Sequence, residues 1–299
     1  MFEIINTTID LTVLAVTWRS YNEMILEKGQ GMDQVDFLNG KTRVFGIVGD
    51  PIEQVRSPEM VTWEMHQRGM NAVLVPLHVR AADFDEVMPS LLRLHNLDGL
   101  IFTIPFKAKA LAYAQALGPQ ATQVGAINAL ARHPQGHWVG EIFDGLGCVE
   151  GLRRRGVSLH GKRVLLLGLG GAGAAIAAAV AGEQPSCLHM FDLQAERCER
   201  MAEVVARISP ATHIVTAPPD VQGMDVLLNA TPVGMLGDAR LPLAVTRLPP
   251  EMLVFDAIVK PEETPLLALA EACGCTVVRG REMMRGQIAK VVDYFNRPV

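Results

Sequence analysis

Short, continuous apolar runs alternate with longer helical patterns along most of this chain. The apolar runs have the length and the Val, Ile and Leu content of buried β-strands, and they cover Val44–Val48, Ala72–Leu77, Gly99–Thr103, Val164–Gly168, Leu188–Phe191, Ile214–Thr216, Val226–Asn229, Leu253–Asp256 and Thr276–Val278. Helical patterns occupy 57–69, 84–95, 171–182, 195–208 and 264–274. Continuous apolar strands that alternate with helices predict an α/β fold whose sheets are mostly parallel and covered on both faces.

A polar segment divides these elements into two groups. The stretch RRRGVSLHGKR at 153–163 carries two glycines, and a new apolar strand follows it directly. We interpret its three arginines as the solvated end of a helix, where cations are favourable. The sequence therefore predicts one α/β unit before about residue 150 and a second one after it. Residues 1–31 are interpreted as a translated upstream segment or a loosely attached extension.

The strongest local signal is a glycine loop between a strand and a helix. The segment VLLLGLGGAGAAIAAAV places Gly168, Gly170 and Gly173 in a G-x-G-x-x-G pattern. The first glycine permits a tight turn, the second permits close approach of the backbone to a pyrophosphate, and the third permits close packing of helix and strand. The N–H groups that open the helix, at Gly171 and Ala172, face the phosphates. We predict that this unit is a Rossmann domain that binds a dinucleotide.

An acidic residue ends the next strand and bears on the choice of dinucleotide. Asp192 lies 24 positions after Gly168, where a carboxylate can bind the ribose hydroxyls of NAD and repel the additional phosphate of NADP. The three residues that follow it contain no arginine, although Arg197 is close in sequence. Asp192 can also act as a helix N-cap, and the two roles are compatible. We predict NAD as the cofactor. Asn229 and the segment after it, which includes Thr231, end another strand and either contact the cofactor or form a polar turn.

A lysine ends an apolar strand in the first unit. In LIFTIPFKAKA, residues 100–110, the apolar run meets Pro105 and then delivers Lys107 and Lys109. Loops that follow parallel strands gather at one edge of the sheet and face the ligand. Lys107 is predicted to pair with Asp144, because a nearby carboxylate positions a lysine that acts as a general acid or base. The alternative is that both are ordinary surface charges. Lys109 is predicted to be a solvated side chain of the helix that follows.

Composition and charge narrow the class of protein. The chain has 49% hydrophobic and 20% charged residues, as in a globular enzyme. A net charge of −5 provides no basic surface for nucleic acid. No apolar run approaches the length of a membrane span. The five scattered cysteines fit reduced thiols in the cytoplasm, and neither they nor the eight histidines have the spacing of a metal site. We expect a cytoplasmic protein without metal.

The order of the motifs resembles the shikimate/quinate dehydrogenase family from about Arg43 to the C-terminus. The family's conserved segments are similar, in chain order, to Gly49-Asp50-Pro51-Ile52 with Val55-Arg56-Ser57-Pro58, Ile101–Lys107, Gly125–Ala129, Ile142–Gly147, Asn229–Met235, Asp256 with Pro261 and Thr264–Leu267, and Gly280 with Met284 and Gln287. The resemblance implies reversible oxidation of a ring alcohol of a cyclic hydroxy acid with NAD or NADP. Members of the family belong to aromatic amino acid biosynthesis and quinate metabolism.

The resemblance also implies a domain organisation and roles for individual residues. It implies a substrate-binding catalytic domain over 32–147, a Rossmann domain over 148–282 and a last helix, 283–299, that returns to the first domain. Lys107 and Asp144 are implied as the catalytic acid–base pair. The remaining residues that we assign are Ser57, Thr103, Asn128 and Gln287 for the substrate, and Gly168, Gly170, Gly171, Ala172, Gly173, Asp192, Asn229, Thr231, Ala257 and Gly280 for the cofactor. The assembly is expected to be a monomer or a homodimer.

Departures from the family pattern alter the expected substrate. Apolar residues stand where the family has hydrogen-bonding groups, at Val55, Ile101, Ile142, Phe143 and Val259. Each missing hydrogen-bond partner weakens polyol binding by about 1 kcal/mol or more. We therefore expect a dehydrogenase whose substrate is not shikimate or is shikimate bound only weakly. The alternative is a non-catalytic NAD-binding sensor or regulatory protein with the same fold.

Overall fold

A computed structural model describes residues 38–296. The predicted extension over 1–31 lies outside the described residues. All helices and strands that follow belong to one unit that begins at Arg43. None of the helices in this described part of the chain has the length and apolar character needed to span a membrane.

The secondary structure alternates between strands and helices throughout. The strands are β1 Arg43–Gly49, β2 Ala72–His78, β3 Leu97–Phe102, β4 Ala116–Leu117, β5 Ala129–Arg132, β6 Trp138–Glu141, β7 Arg163–Leu167, β8 Cys187–Phe191, β9 His213–Val215, β10 Val226–Asn229, β11 Leu253–Asp256 and β12 Thr276–Val278. The helices are α1 Ser57–Gln67, α2 Phe84–Leu91, α3 Pro119–Val124, α4 Asp144–Arg154, α5 Gly171–Gly182, α6 Ala195–Ile208, α7 Pro265–Ala272 and α8 Gly280–Phe295. A short 3-10 helix spans Lys109–Tyr113.

The first sheet is mixed and has the strand order β2-β1-β3-β5-β6-β4. Strand β1 pairs in parallel with both β2 and β3, and β4 pairs in parallel with β6. Strand β5 is antiparallel to β3 and to β6. The loops after β1 and β3 therefore leave the same edge of the sheet, which brings together the two segments that contain Ser57 and Lys107.

The second sheet is parallel throughout and has the order β12-β11-β10-β7-β8-β9. Read from β9, this is the third, second, first, fourth, fifth and sixth strand of the unit, which is the Rossmann order. The order of the strands reverses between β7 and β10, so the crevice for a ligand opens at the carboxyl ends of these two strands. The predicted α/β class with a C-terminal Rossmann domain is confirmed.

The sequence pattern located the long strands and missed three short ones. Strands β4, β5 and β6 were not predicted, since their two to four residues carry too little apolar periodicity to stand out from a loop. Strand β3 ends at Phe102, one residue before the predicted end, and β9 begins and ends one residue earlier than predicted. A short 3-10 helix follows β3 along the chain, and Lys109 is exposed at its start.

The last helix packs on one face of the first sheet. Phe295, Val292 and Ile288 on α8 are buried in one cluster with Phe45 of β1 and Ile101 of β3. The rings of Phe45 and Phe295 lie 4.7 Å apart. Because α8 begins at Gly280, directly after β12 of the second sheet, it carries residues of the second half across to the first.

Candidate active site

Lys107 follows β3, and hydrogen bonds of the backbone hold this part of the chain in place. The N–H of Ile127 donates to the carbonyl of Lys107 at 2.9 Å, and the N–H of Thr103 donates to the carbonyl of Val48 at 3.0 Å, which fixes the chain at the end of the strand. The Nζ of Lys107 donates to Oδ2 of Asp144 at 2.5 Å. Side-chain exposures are 16% for the lysine and 4% for the aspartate, so a buried carboxylate holds an amine that reaches the cavity.

Asp144 is positioned by the start of helix α4. It is the first residue of the helix, where the positive end of the helix dipole favours a carboxylate. One turn later, Gly147 lies against α8, and a Cβ at this position would come within 2.8 Å of the Cβ of Gln287. The two helices approach closely at this point because this residue has no side chain. The close approach brings Gln287 to the same side as Asp144.

Asn128 connects the catalytic candidates to the last helix. Its Oδ1 accepts a hydrogen bond from the N–H of Phe143 at 2.9 Å, next to Asp144. Its Nδ2 donates to Oε1 of Gln287 at 3.3 Å. Asn128 is 4% exposed, so its amide is fixed in place. The pair of amides forms a polar corner beside the lysine and the aspartate.

The glycine loop has the geometry of a phosphate site. Gly168 has φ of +86°, a left-handed conformation that a side chain would strain. A Cβ at Gly173 would lie 1.9 Å from the carbonyl oxygen of Gly168, so helix and strand contact each other here. The space above Gly170 is open, with no atom within 4 Å of a Cβ placed there. No side chain caps the N-terminus of α5, which leaves its N–H groups available to an anion.

Asp192 is tied to the glycine loop. Its Oδ2 accepts the N–H of Leu169 at 2.7 Å and its Oδ1 accepts the N–H of Gln194 at 2.9 Å. Arg197 lies 3.4 Å from the same carboxylate and is 40% exposed. A negative and a positive side chain therefore stand together beside the glycine loop, and Arg197 was not among the residues predicted for the site.

A buried polar network underlies the crevice at the ends of β10 and β11. Asn229 is fully buried, and its Oδ1 accepts from both the N–H and the hydroxyl of Thr231, at 3.0 and 2.7 Å. Asp256 is also fully buried and accepts from the N–H of Ile258 at 3.0 Å and from the hydroxyl of Thr264 at 2.7 Å. Burial raises the pKa of the Asp256 carboxyl, and these two hydrogen bonds oppose the increase. This network fixes the loops that carry Thr231 and Ala257.

One cavity of about 510 Å³ collects most of the predicted residues from both halves of the chain. Those that line it are Ser57, Thr103, Lys107, Asn128, Asp144, Gly170, Gly171, Ala172, Thr231, Ala257, Gly280 and Gln287. Four predicted cofactor residues do not line it: Gly168, Gly173, Asp192 and Asn229. These four support the loops around the crevice through the contacts described above. Among the described residues, no cluster of three or more His, Cys, Asp or Glu is suited to hold a metal ion.

Part of the cavity lining is an apolar wall, whose residues belong to one hydrophobic cluster. It consists of Ile47, Val55, Val61, Ile101, Ile288 and Val291. Three of the five departures noted in the sequence line the cavity, namely Val55, Ile101 and Val259. The other two do not: Ile142 is packed in the core of the second half, and Phe143 packs edge-on against Tyr294 at 5.3 Å. Within the cavity, this chain therefore lacks the hydrogen-bonding groups of the family pattern at three positions.

Helix α8 lines the cavity with a helical spacing that the sequence analysis did not use. Gly280, Met284, Gln287 and Val291 recur at the spacing of one helix face, and all four line the cavity. Arg56 and Gln54, in the loop after β1, also line it. No periodicity marks a loop residue, so these two could not be found from the pattern.

Comparison with known proteins agrees with this geometry. Residues 47–130 match the shikimate dehydrogenase substrate binding domain. The shikimate dehydrogenase (NADP(+)) of Rhodospirillum rubrum is 34% identical over 257 residues, which cover 84% of this chain and 90% of that protein.

Two solved structures share the fold. Shikimate 5-dehydrogenase from Listeria monocytogenes, in complex with shikimate and NAD, has a TM-score of 0.75 at 26% identity and covers 87% of this chain and 94% of its own. Quinate dehydrogenase from Corynebacterium glutamicum, in complex with NAD, has a TM-score of 0.73 at 27% identity and covers 85% of this chain and 94% of its own. This chain belongs to the shikimate/quinate dehydrogenase family of oxidoreductases, which use a nicotinamide dinucleotide.

Proposed function

We propose that the protein is an NAD-dependent dehydrogenase that reversibly oxidises a ring alcohol of a cyclic hydroxy acid of the shikimate/quinate type. The observation that carries this proposal is the ion pair between Lys107 and Asp144, 2.5 Å long, in a cavity that the glycine loop also lines. A dinucleotide-binding sensor would have no use for an acid–base pair aimed into its cavity.

The chain's own residues account for the proton in this reaction. The bound nicotinamide ring supplies the hydride acceptor. As the C–H hydride leaves the alcohol carbon, the hydroxyl proton passes to the neutral amine form of Lys107, which becomes the ammonium paired with Asp144, and the C–O bond becomes a carbonyl. In the reverse direction the Lys107 ammonium returns the proton to the carbonyl oxygen. Asp144 keeps the amine at one position, and such acid–base assistance contributes roughly 10²–10⁴ to the rate.

The crevice fits the phosphates of a dinucleotide. The open space at Gly170 and the uncapped N-terminus of α5 provide a surface that backbone N–H groups can present to a pyrophosphate. We assign Gly170, Gly171 and Ala172 to this contact, and Gly168 and Gly173 to the shape of the loop. Thr231, Ala257 and Gly280, which line the cavity on the same half, are assigned to the rest of the cofactor.

We propose NAD in preference to NADP because of Asp192. Its carboxylate repels an additional phosphate on the adenine ribose, and the N–H groups of Leu169 and Gln194 hold it at the end of β8. The curated relative from Rhodospirillum rubrum is named an NADP(+) enzyme, whereas the two solved structures above contain NAD. The dinucleotides named for these relatives differ, so the cofactor of each chain has to be argued from its own residues.

We further propose that shikimate itself is not the substrate or is a poor one. The polar residues that we assign to the substrate are Ser57, Thr103, Asn128 and Gln287, and the apolar wall lines the same cavity. A polyol bound there leaves several hydroxyl groups without a partner, at about 1 kcal/mol or more each. Residues 32–147 and 283–299 are assigned to the substrate domain, and residues 148–282 to the cofactor domain.

A substrate screen with a matched variant tests the proposal. Purified protein is incubated with cyclic hydroxy acids and cyclitols, with NAD and NADP in parallel, and reduction is followed by absorbance of the reduced nicotinamide. We expect turnover that favours NAD and that falls at least 10²-fold in Lys107→Met. Lys109→Met, which removes an exposed lysine two residues away, is the control and should keep full activity. Undiminished turnover in Lys107→Met, or no turnover of any compound, contradicts the proposed reaction.

A further inference from the structure

The cations that line the cavity differ in how they are paired. Lys107 is paired with Asp144, and Arg197 with Asp192. Two other lining cations are Arg56 and Lys260. Lys260 follows β11 in the half that we assign to the cofactor. Arg56 lies in the loop after β1, between Val55 and Ser57, in the half that we assign to the substrate. Arg56 is therefore the cation on the proposed substrate side of the cavity that does not belong to the acid–base pair.

The partner of Arg56 holds it weakly. Its Nη2 lies 2.8 Å from Oε1 of Glu59, and both side chains are 60% exposed. An exposed ion pair of this kind contributes little to stability, so a ligand carboxylate can replace Glu59 at little cost. Glu59 itself does not line the cavity. The guanidinium thus stands at the edge of the cavity, with its present partner outside.

The surroundings of Arg56 indicate what kind of molecule would use it. A guanidinium binds a carboxylate through two parallel hydrogen bonds. Directly beside it begins the apolar wall, with Val55 next in sequence and Val61 one turn along α1. Ser57 is polar directly beside Arg56, whereas the hydrogen-bonded pairs Lys107–Asp144 and Asn128–Gln287 belong to other elements. A matching ligand has an anionic group at one end, one reactive hydroxyl or carbonyl at the other, and an apolar body between them.

We infer that Arg56 is the specificity-determining residue that binds the carboxylate of the substrate, and that the substrate is an alicyclic hydroxy acid with few hydroxyl groups besides the one oxidised. This inference rests on the proposed dehydrogenase function and names its substrate class. In this inference the apolar wall excludes polyols, and Arg56 selects acids.

Matched probes separate the two parts of the inference. The probe is 3-hydroxycyclohexane-1-carboxylate, compared with its neutral methyl ester and with the polyhydroxylated acids quinate and shikimate. Oxidation of the probe gives 3-oxocyclohexane-1-carboxylate, one reduced nicotinamide and one proton, so the same absorbance assay applies. We expect kcat/KM for the probe acid to exceed that for its ester and for both polyols by about tenfold or more.

Variants then test Arg56 itself. Arg56→Gln should raise KM for the probe acid by roughly 10- to 100-fold, leave KM for the ester unchanged and leave kcat within about twofold, because a carboxylate contact with arginine is charge-assisted. Arg56→Lys should restore part of the affinity, since it keeps the charge and loses the paired geometry. Arg80→Gln, an equal change of charge at a side chain that is 78% exposed, is the control and should change neither constant.

Binding measurements keep failure of this inference distinct from failure of the proposed reaction. Titration calorimetry of the NAD-loaded protein with the probe acid should show binding that Arg56→Gln weakens, whether or not turnover follows. Binding of that kind without turnover would support Arg56 and contradict the dehydrogenase. Any one of four results would overturn the inference. They are equal KM values for the acid and the ester, preference for the polyols, weaker binding of the probe acid in Lys260→Gln but not in Arg56→Gln, and no binding of the probe acid.

Discussion

The side chain of Lys107 lies against Gly171, the first residue of helix α5 in the glycine loop. A Cβ at Gly171 would stand 3.0 Å from the Cβ of Lys107 and 3.4 Å from its Cδ. The catalytic candidate of the first half therefore touches the phosphate loop of the second half. This contact favours glycine at position 171, because a larger residue would displace the lysine, in addition to any role in binding a phosphate.

The two adjacent glycines of the loop should respond differently to alanine. In Gly171→Ala the new methyl group displaces the lysine by a few tenths of an ångström, and small displacements of catalytic groups are costly. We expect kcat to fall by about tenfold with KM for the dinucleotide nearly unchanged. In Gly170→Ala the methyl group enters open space above the loop, so KM for the dinucleotide should rise instead. Steady-state kinetics of both variants decide this, and equal effects of the two on KM alone would contradict the contact with Lys107.

Asp192 and Arg197 should control the choice of dinucleotide in opposite directions. Asp192→Asn removes the negative charge at the position where we propose that the adenine ribose binds, and it leaves Arg197, now without its ion pair, to attract a phosphate. We expect the ratio of kcat/KM for NADP to that for NAD to rise by about tenfold, which corresponds to roughly 1.4 kcal/mol. Arg197→Ala should lower the same ratio.

The melting temperature of each of these variants serves as the control, because Asp192 also accepts the N–H of Leu169. A ratio that stays constant in Asp192→Asn while the protein remains folded would show that the carboxylate does not discriminate between the two cofactors.

The glycine loop could be predicted from sequence because its signal is local. Gly168, Gly170 and Gly173 lie within six residues, directly between a strand and a helix, and the turn they form needs no distant partner. The pairing of Lys107 with Asp144 is different, since 37 residues separate them. The residues alone left it as one of two alternatives, and only the resemblance to a family singled it out.

The parts of the site that could not be predicted depend on tertiary packing. Whether a departure from the family pattern faces the substrate follows from how helices and sheet pack, and this places Ile101 in the cavity wall but Ile142 in the core. Likewise, the sequence did not show whether Asn229 contacts the cofactor or forms a polar turn, and the structure shows that it is buried and supports Thr231. Strands β5 and β6 were missed because segments such as Ala129–Arg132 have weak β-propensity outside their sheet.

Ile101 should limit activity on polyols. It is 9% exposed, near the end of β3, and forms part of the apolar wall. Ile101→Asn places an amide at that position, so kcat/KM for shikimate or quinate should rise by about tenfold through one added hydrogen bond to a hydroxyl group. The same change should reduce the free energy of unfolding by about 1–3 kcal/mol, because an amide replaces buried apolar surface.

Ile101→Val is the matched control for this gain. It removes one methylene group, should cost about 1 kcal/mol of stability, and should not improve activity on either polyol. The two variants are compared by steady-state kinetics and by urea unfolding. Equal activity of Ile101→Asn and Ile101→Val on shikimate would show that a missing hydrogen bond at this position is not what excludes the polyol.

The buried carboxyl of Asp256 should make stability fall as the pH rises. Burial raises its pKa in the folded protein above the ordinary value of 3.8. Below about pH 3.8 the carboxyl is neutral in both the folded and the unfolded state, so it contributes no pH dependence. Above that pH the unfolded chain loses the proton first, and folding must take it up again. The contribution of Asp256 therefore becomes less favourable with increasing pH until the folded pKa is passed, by about 1.4 kcal/mol for each unit of increase.

Asp256→Asn should remove this pH dependence and keep the local hydrogen bonds. The amide oxygen can still accept from the N–H of Ile258, and the amide nitrogen can donate to the hydroxyl of Thr264. In urea unfolding between pH 4 and pH 8, we expect the variant to gain stability relative to wild type as the pH rises. Asp50→Asn is a control of opposite sign, because a hydrogen bond from His78 and the N–H of Ala81 lower the pKa of Asp50. Wild type should be more stable than Asp50→Asn at neutral pH and should lose that advantage as the pH falls. A constant difference between wild type and Asp256→Asn over the whole range would show that the Asp256 carboxyl ionises alike in the folded and unfolded chain.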